Sequence, residues 1–76
     1  MRSQSVEDFY VDIVKRRVTH KSGIAFIFYP YPTERDWLNA GPNRVCIPAN
    51  YDGDYSELAR PAMKAAIAAG MRHYDL

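Results

Sequence analysis

Lys15, Arg16, Arg17, His20 and Lys21 fall between Ile13 and Gly23 and form the densest cluster of chemistry-bearing side chains in the chain. Such a cluster can contact phosphates, as helix ends and hairpin turns do in RNA-binding domains. It can equally be the solvated C-terminal end of a helix, where the dipole favours cations. A histidine acts as a general base only beside a nucleophile or an orienting group, and no such pair is legible near His20 or His73, so no catalytic residue is assigned. A second cluster, Asp52, Asp54 and Glu57 among Tyr51 and Tyr55, could imitate phosphates toward a basic groove on a nucleic-acid enzyme, or be a polar turn leading into a helix. Its glycine and ligand spacing does not match a calcium loop. The single cysteine, Cys46, leaves no internal disulfide and no metal site built on paired thiolates. It alternates with strand residues and reads as a small packed hydrophobe rather than a nucleophile. No metal and no cofactor is expected. Trp37, the one large aromatic outside a periodic element, is either a binding anchor or a lid.

What must position these residues is small. A chain of 76 residues makes one domain, 1–76, and a domain of this size buries only about 60 to 65% of its unfolded surface, which disfavours a deep substrate pocket. Its 47% apolar, 13% aromatic and 25% charged residues are a globular composition. The formal net charge of +1 supplies no global field toward nucleic acid or an anionic membrane, so any electrostatic recognition is local. No apolar run approaches the roughly 20 residues of a membrane span, and "MRSQSVEDF" lacks the apolar core of a signal peptide. The expected setting is the reducing cytoplasm.

Val6, Phe9, Tyr10, Ile13, Val14 and Arg17 follow the i, i+3, i+4, i+7 spacing of a helical face, which predicts a helix over 5–17. Ser5 would be its N-cap, Glu7 and Asp8 its acidic first turn, and Lys15 to Arg17 its basic last turn. The same residues are rich in β-branched types, and a strand there would instead give a four-stranded sheet. "VTHKSG" reads as a short strand and turn. "IAFIFYPYP" is the clearest strand, with Ile24, Phe26 and Phe28 on one face and Ala25, Ile27, Tyr29 and Tyr31 on the other. Residues 32–43 form a loop. Arg44 to Pro48 make a further strand, with Val45 and Ile47 on one face and Arg44 and Cys46 on the other. After a turn at 56–60, a helix starts at Pro61 and closes at Gly70.

The expected fold is α+β, in the order α-β-β-β-α, with a three-stranded antiparallel sheet and two helices on one face. If the helices cover Ile24, Phe26, Phe28, Val45 and Ile47, then Ala25, Ile27, Tyr29, Tyr31 and Cys46 form an exposed apolar patch. A monomer rarely leaves such a patch bare, which points to a protein partner or a homodimer through the open sheet face.

"RVCIPAN", an acidic turn and "RPAMKAAIAAGM" resemble the final strand and helix of HicA-type mRNA interferase toxins, whose fold is that of double-stranded RNA-binding domains. That resemblance implies an RNA-binding or RNA-cleaving toxin using Lys15, Arg16, Arg17, His20 and Lys21, with a cognate antitoxin as partner. The family's catalytic histidine follows a glycine–serine pair; the matching "KSGIAF" has none, and Asn50 stands where the family often has a second histidine. In size and character the chain is also similar to small phage and mobile-element proteins, including anti-CRISPR inhibitors of host nucleoprotein complexes. The favoured expectation is such a non-enzymatic inhibitor, contacting its partner through Ile27, Tyr29, Tyr31, Trp37, Asp52, Asp54 and Glu57, without direct nucleic-acid or membrane binding.

Overall fold

Phe9 and Val11 alternate with Tyr10 and Asp12, and the chain follows that two-residue period rather than the helical one. In the computed structural model, which describes residues 8–75, this segment is a strand, β1 (Phe9–Asp12). It is followed by β2 (Arg17–His20), β3 (Ala25–Ile27), α1 (Glu34–Ala40), β4 (Arg44–Cys46), a 3₁₀ turn at Ser56–Leu58 and α2 (Ala59–Ala68). The helix expected over 5–17 is therefore a β-hairpin; its proposed cap Ser5 and first-turn Glu7 lie outside the described residues. A helix would have buried Tyr10 and Val14 together with Phe9 and Ile13. Instead Tyr10 is 69% and Val14 91% exposed, while Phe9, Val11 and Ile13 pack against the core.

The hairpin turn, residues 13–16, carries no glycine, asparagine or proline. The Lys15 amide donates to Asp12 Oδ1 at 3.1 Å and the Arg16 amide to the Ile13 carbonyl at 3.2 Å. Arg16 itself lies in the left-handed region, φ +53°, at a cost of roughly 1 to 2 kcal/mol for a residue with a Cβ. Distant contacts offset that cost. Its carbonyl accepts the Phe28 amide at 2.9 Å. Its guanidinium donates to the carbonyls of Phe28 (2.7 Å), Arg72 (2.6 Å) and Tyr74 (3.1 Å).

The four strands form an antiparallel meander in the order β1-β2-β3-β4. The order of elements is thus β-β-β-α-β-α, with one strand more than expected and a helix inside the presumed loop. That helix, α1, has local signals of its own. Thr33 Oγ1 accepts the Asp36 amide at 3.2 Å, Glu34 and Asp36 sit in the first turn, and Gly41 follows the last residue at φ +66°.

α2 begins two residues before Pro61, which stands in the first turn, where its missing N–H has no intrahelical acceptor to lose. Its far end closes in a Schellman motif. Gly70 at φ +103° donates to the Ile67 carbonyl at 3.0 Å, and Met71 to that of Ala66 at 2.9 Å. The Met71 side chain turns back into the core. The buried face of α2 is Ala62, Met63, Ala65 and Ala66, and its three alanines let the helix lie close on β1 and β2.

One hydrophobic cluster unites the Val18, Ile24, Phe26 and Phe28 side chains of the sheet with Trp37 from α1 and the buried face of α2. Both helices therefore feed the core on the same side of the sheet. Among the described residues no helix is long and apolar enough to cross a membrane.

Candidate contact surface

The strand registers lay out the other side of the sheet as two rows of four. Tyr10 pairs with Thr19, Thr19 with Ala25, and Ala25 with Cys46. Asp12 pairs with Arg17, Arg17 with Ile27, and Ile27 with Arg44. None of these eight side chains belongs to the buried cluster or packs against it. Tyr10, Arg44 and Cys46 are exposed, Asp12, Arg17, Thr19 and Ile27 half-buried, and Ala25, short and on an inner strand, is buried. Among the described residues Asp12 makes no ion pair; its carboxylate accepts the Lys15 amide.

Beyond β3, Tyr29 is also exposed, its amide held by Asn43 Oδ1 at 2.9 Å. Asn43 closes the long excursion between β3 and β4. Its amide donates to the Ile27 carbonyl at 2.8 Å and its Nδ2 to the Tyr31 hydroxyl at 2.6 Å. Tyr31, expected on the open face, instead packs against the core, and its amide donates to the His73 carbonyl at 2.7 Å. Ala25 likewise departs from the expected patch by being buried. Ile47, expected under the helices, is exposed; Cys46 is exposed too, as its place in the expected patch required and against its reading as a packed small hydrophobe. Trp37 is neither lid nor surface anchor: it is 2% exposed, with the Arg16 guanidinium 5.9 Å from its ring centroid.

The basic block does not act as a unit. Lys15 is exposed at the hairpin tip, and Arg16 is buried and committed to main-chain carbonyls. Arg17 lies on the open face, and Lys21 pairs with Asp8 at 3.4 Å. No helix ends there, so the dipole account of these cations fails as well. A cleft of about 250 Å³ lies beside Arg16, lined by Ile13, Val14, Arg72 and Asp75, but the guanidinium in it is occupied by the three carbonyls.

His20 is buried against the Phe9 ring, with centroids 5.0 Å apart. Its Nδ1 accepts the Ser22 amide at 3.2 Å and stands 2.8 Å from Ser22 Oγ. A hydroxyl beside an imidazole is the start of a nucleophile–base pair, and sequence reading missed this one because the two residues meet only once the turn closes. Here the backbone amide already uses the Nδ1 lone pair, so the imidazole acts as a turn lock with its proton on Nε2. Burial holds the His20 pKa below the ordinary 6.5; Lys21 pushes the same way, and Asp8 opposes in part.

Between the folded and unfolded pKa values the unfolded chain binds more protons. The contribution of neutral His20 is therefore complete above pH 6.5 and is lost as pH falls from there through the folded value. Urea midpoints measured between about pH 7.5 and about pH 5.5 will fall with acidity, and His20→Gln will flatten that slope. An unchanged slope in the variant would remove His20 as its source.

Asp52, Asp54 and Glu57 are exposed. Asp54 is already engaged: its Oδ1 accepts the Ser56 amide at 2.9 Å, and that bond, with the Ser56 hydroxyl, lowers its pKa. Tyr51 and Tyr55 between them pack on the core. The acidic stretch thus serves as the polar entry to the final helix, with Asp52 and Glu57 presented to solvent. Sequence reading missed Tyr10, Arg17 and Thr19 as members of the open face, although it set Arg44 with Cys46 away from the helices. The alternation in "FYVD" and "RVTH" was the signal for all three, and the helical spacing of the same residues masked it. Compared with family models, curated proteins and solved structures, the chain matches none.

Proposed function

We propose that this chain is a small non-enzymatic binding protein that acts by protein–protein contact through the open face of its sheet. The observation that carries the reading is the division of the sheet. Both helices bury side chains on the Phe26 side, while Tyr10, Ile27, Arg44 and Cys46, with Tyr29 beyond them, stand on the other. Exposed aromatics beside arginines over small neighbours are the composition of protein contact surfaces. The partner class that fits a chain of this size and character is a host nucleic-acid-handling complex. The chain would be its regulator or inhibitor, in the manner of small phage and mobile-element proteins such as anti-CRISPRs, working in the cytoplasm. Asp52 and Glu57 would supply negative charge toward a basic groove on such a target. Direct RNA binding by Lys15, Arg16, Arg17, His20 and Lys21, as in a HicA-like toxin, draws less support, because two of the five are buried, Lys21 is paired with Asp8 and Arg17 lies on the open sheet face.

Pull-down of tagged protein from lysate, with and without nuclease treatment, with the bound species identified, tests the reading. Tyr10→Ser combined with Tyr29→Ser will abolish retention of a stoichiometric protein partner while moving the thermal midpoint little, since both rings are exposed. Retention of RNA alone, or capture indifferent to both tyrosines, would overturn it.

A further inference from the structure

We infer that the open sheet face is self-complementary and that its occupant is a second copy of this chain, stacked face to face about a two-fold axis parallel to the strands. This deepens the contact reading above and rests on its choice of surface. The row Asp12–Arg17–Ile27–Arg44 carries an acid on one outer strand and a base on the other. A two-fold axis along the strands lays β1 of one copy over β4 of the other and β2 over β3, with the rows kept in line. Asp12 then faces Arg44 of the second copy, and symmetry makes this happen twice. Size matches in the same operation. Tyr10, the largest side chain of its row, lies over Cys46, and Thr19 lies over Ala25. In the other row the aliphatic stem of Arg17 lies along Ile27. The alternative in-plane axis, across the strands, would lay Asp12 over Tyr10 and Arg44 over Cys46, so that neither charge meets its opposite, whereas the first axis leaves only Arg17 without an acidic counterpart across the contact. Among the described residues Asp12 makes no ion pair: its carboxylate accepts the Lys15 amide at 3.1 Å, and Arg17, its neighbour across the strands, is the one base of its own row beside it.

Four short strands present a face only roughly 15 to 20 Å across at β-sheet spacing. The contact therefore belongs at the low end of specific interfaces, and the dimer is reversible.

Sedimentation equilibrium from tens to hundreds of micromolar will show a monomer–dimer equilibrium for the unaltered protein. Arg44→Asp and Asp12→Arg each set like charges against each other at two points, and each will weaken the dimer at least about tenfold. An equimolar mixture of the two variants restores both opposite-charge pairs and will dimerise again. Asp12→Arg also removes the acceptor of the Lys15 amide, so its fold is checked by thermal melting. If it fails to fold, Tyr10→Cys decides. A short bis-maleimide will then link that position to Cys46 of the other copy, while the unaltered protein, whose two Cys46 thiols lie at opposite edges of the stack, will not cross-link. A protein that stays monomeric across the concentration range, charge variants that dimerise undiminished, or absence of the cross-link would overturn the inference. A dimer that retains no host protein would sink the inhibitor reading and leave this one standing; a monomer bound to a different protein through Tyr10 and Tyr29 would do the reverse.

Discussion

Arg16→Ala will destabilise the domain by about 3 to 4 kcal/mol, enough to unfold most of a protein this small at moderate temperature. Three charge-assisted hydrogen bonds disappear, and the carbonyls of Phe28, Arg72 and Tyr74 lose their donor in a region where Arg16 is buried. The contact with the Trp37 ring goes with them. Alanine also keeps the left-handed backbone strain. Arg16→Gly, which relieves it, will be less damaging than alanine by about 1 kcal/mol. Arg16→Lys, with one point charge in place of a planar fork, will fall between Ala and the unaltered chain. Urea denaturation read by circular dichroism orders the four proteins. Equal midpoints for alanine and the unaltered chain would mean the guanidinium contributes nothing.

Trp37→Ala will cost about 3 to 5 kcal/mol, the range for emptying a large aromatic from a core. Trp37 is the largest of the fully buried side chains and the one buried residue of α1, so its loss also detaches that helix. Trp37→Phe keeps most of the packing, and because Nε1 has no hydrogen-bond partner among the described residues, no bond is lost with it. Its cost will be under about 2 kcal/mol. The chain has one tryptophan, so its emission reports the site directly: blue-shifted when folded, moving to the red in urea along with the loss of ellipticity. A red-shifted native spectrum, or an alanine variant with an unchanged melt, would return Trp37 to the surface.

The elements carrying strong periodic signals were legible. Ile24, Phe26 and Phe28 alternate without interruption, "RVC" repeats the alternation in three residues, and the alanine-rich run ending at Gly70 has the spacing and the stop of a helix. The first hairpin was not, for a reason specific to its turn. Short strands with Phe9, Val11 and Ile13 inward leave apolar residues that also satisfy a helical stripe, so periodicity alone does not separate the two forms. Turn chemistry would normally arbitrate, yet the left-handed position is filled by an arginine whose justification, the carbonyls of Arg72 and Tyr74, lies more than fifty residues away. α1 failed in the opposite sense. Its Thr33 cap, acidic first turn and Gly41 were all in plain view, but a helix of seven residues with one buried side chain has no stripe to count. The site inherited these errors. A helix over the first segment separates Tyr10 and Arg17 from Ile27, and only the strand pairing assembles the two-row face.

The tie between Arg16 and the tail also dictates when this chain can finish folding. A hairpin with a locally favourable turn closes in microseconds, soon after its strands exist. This one holds its turn in a strained conformation whose cost is offset first by Phe28, twelve residues on, and in full when the main chain at 72 and 74 arrives to receive the rest of the guanidinium. A ribosome delivers residues at roughly 5 to 20 per second and hides the most recent ones in its tunnel. Two of the four Arg16 contacts therefore wait for nearly all of residues 8–75 to emerge, so the hairpin reaches its full stability late in synthesis.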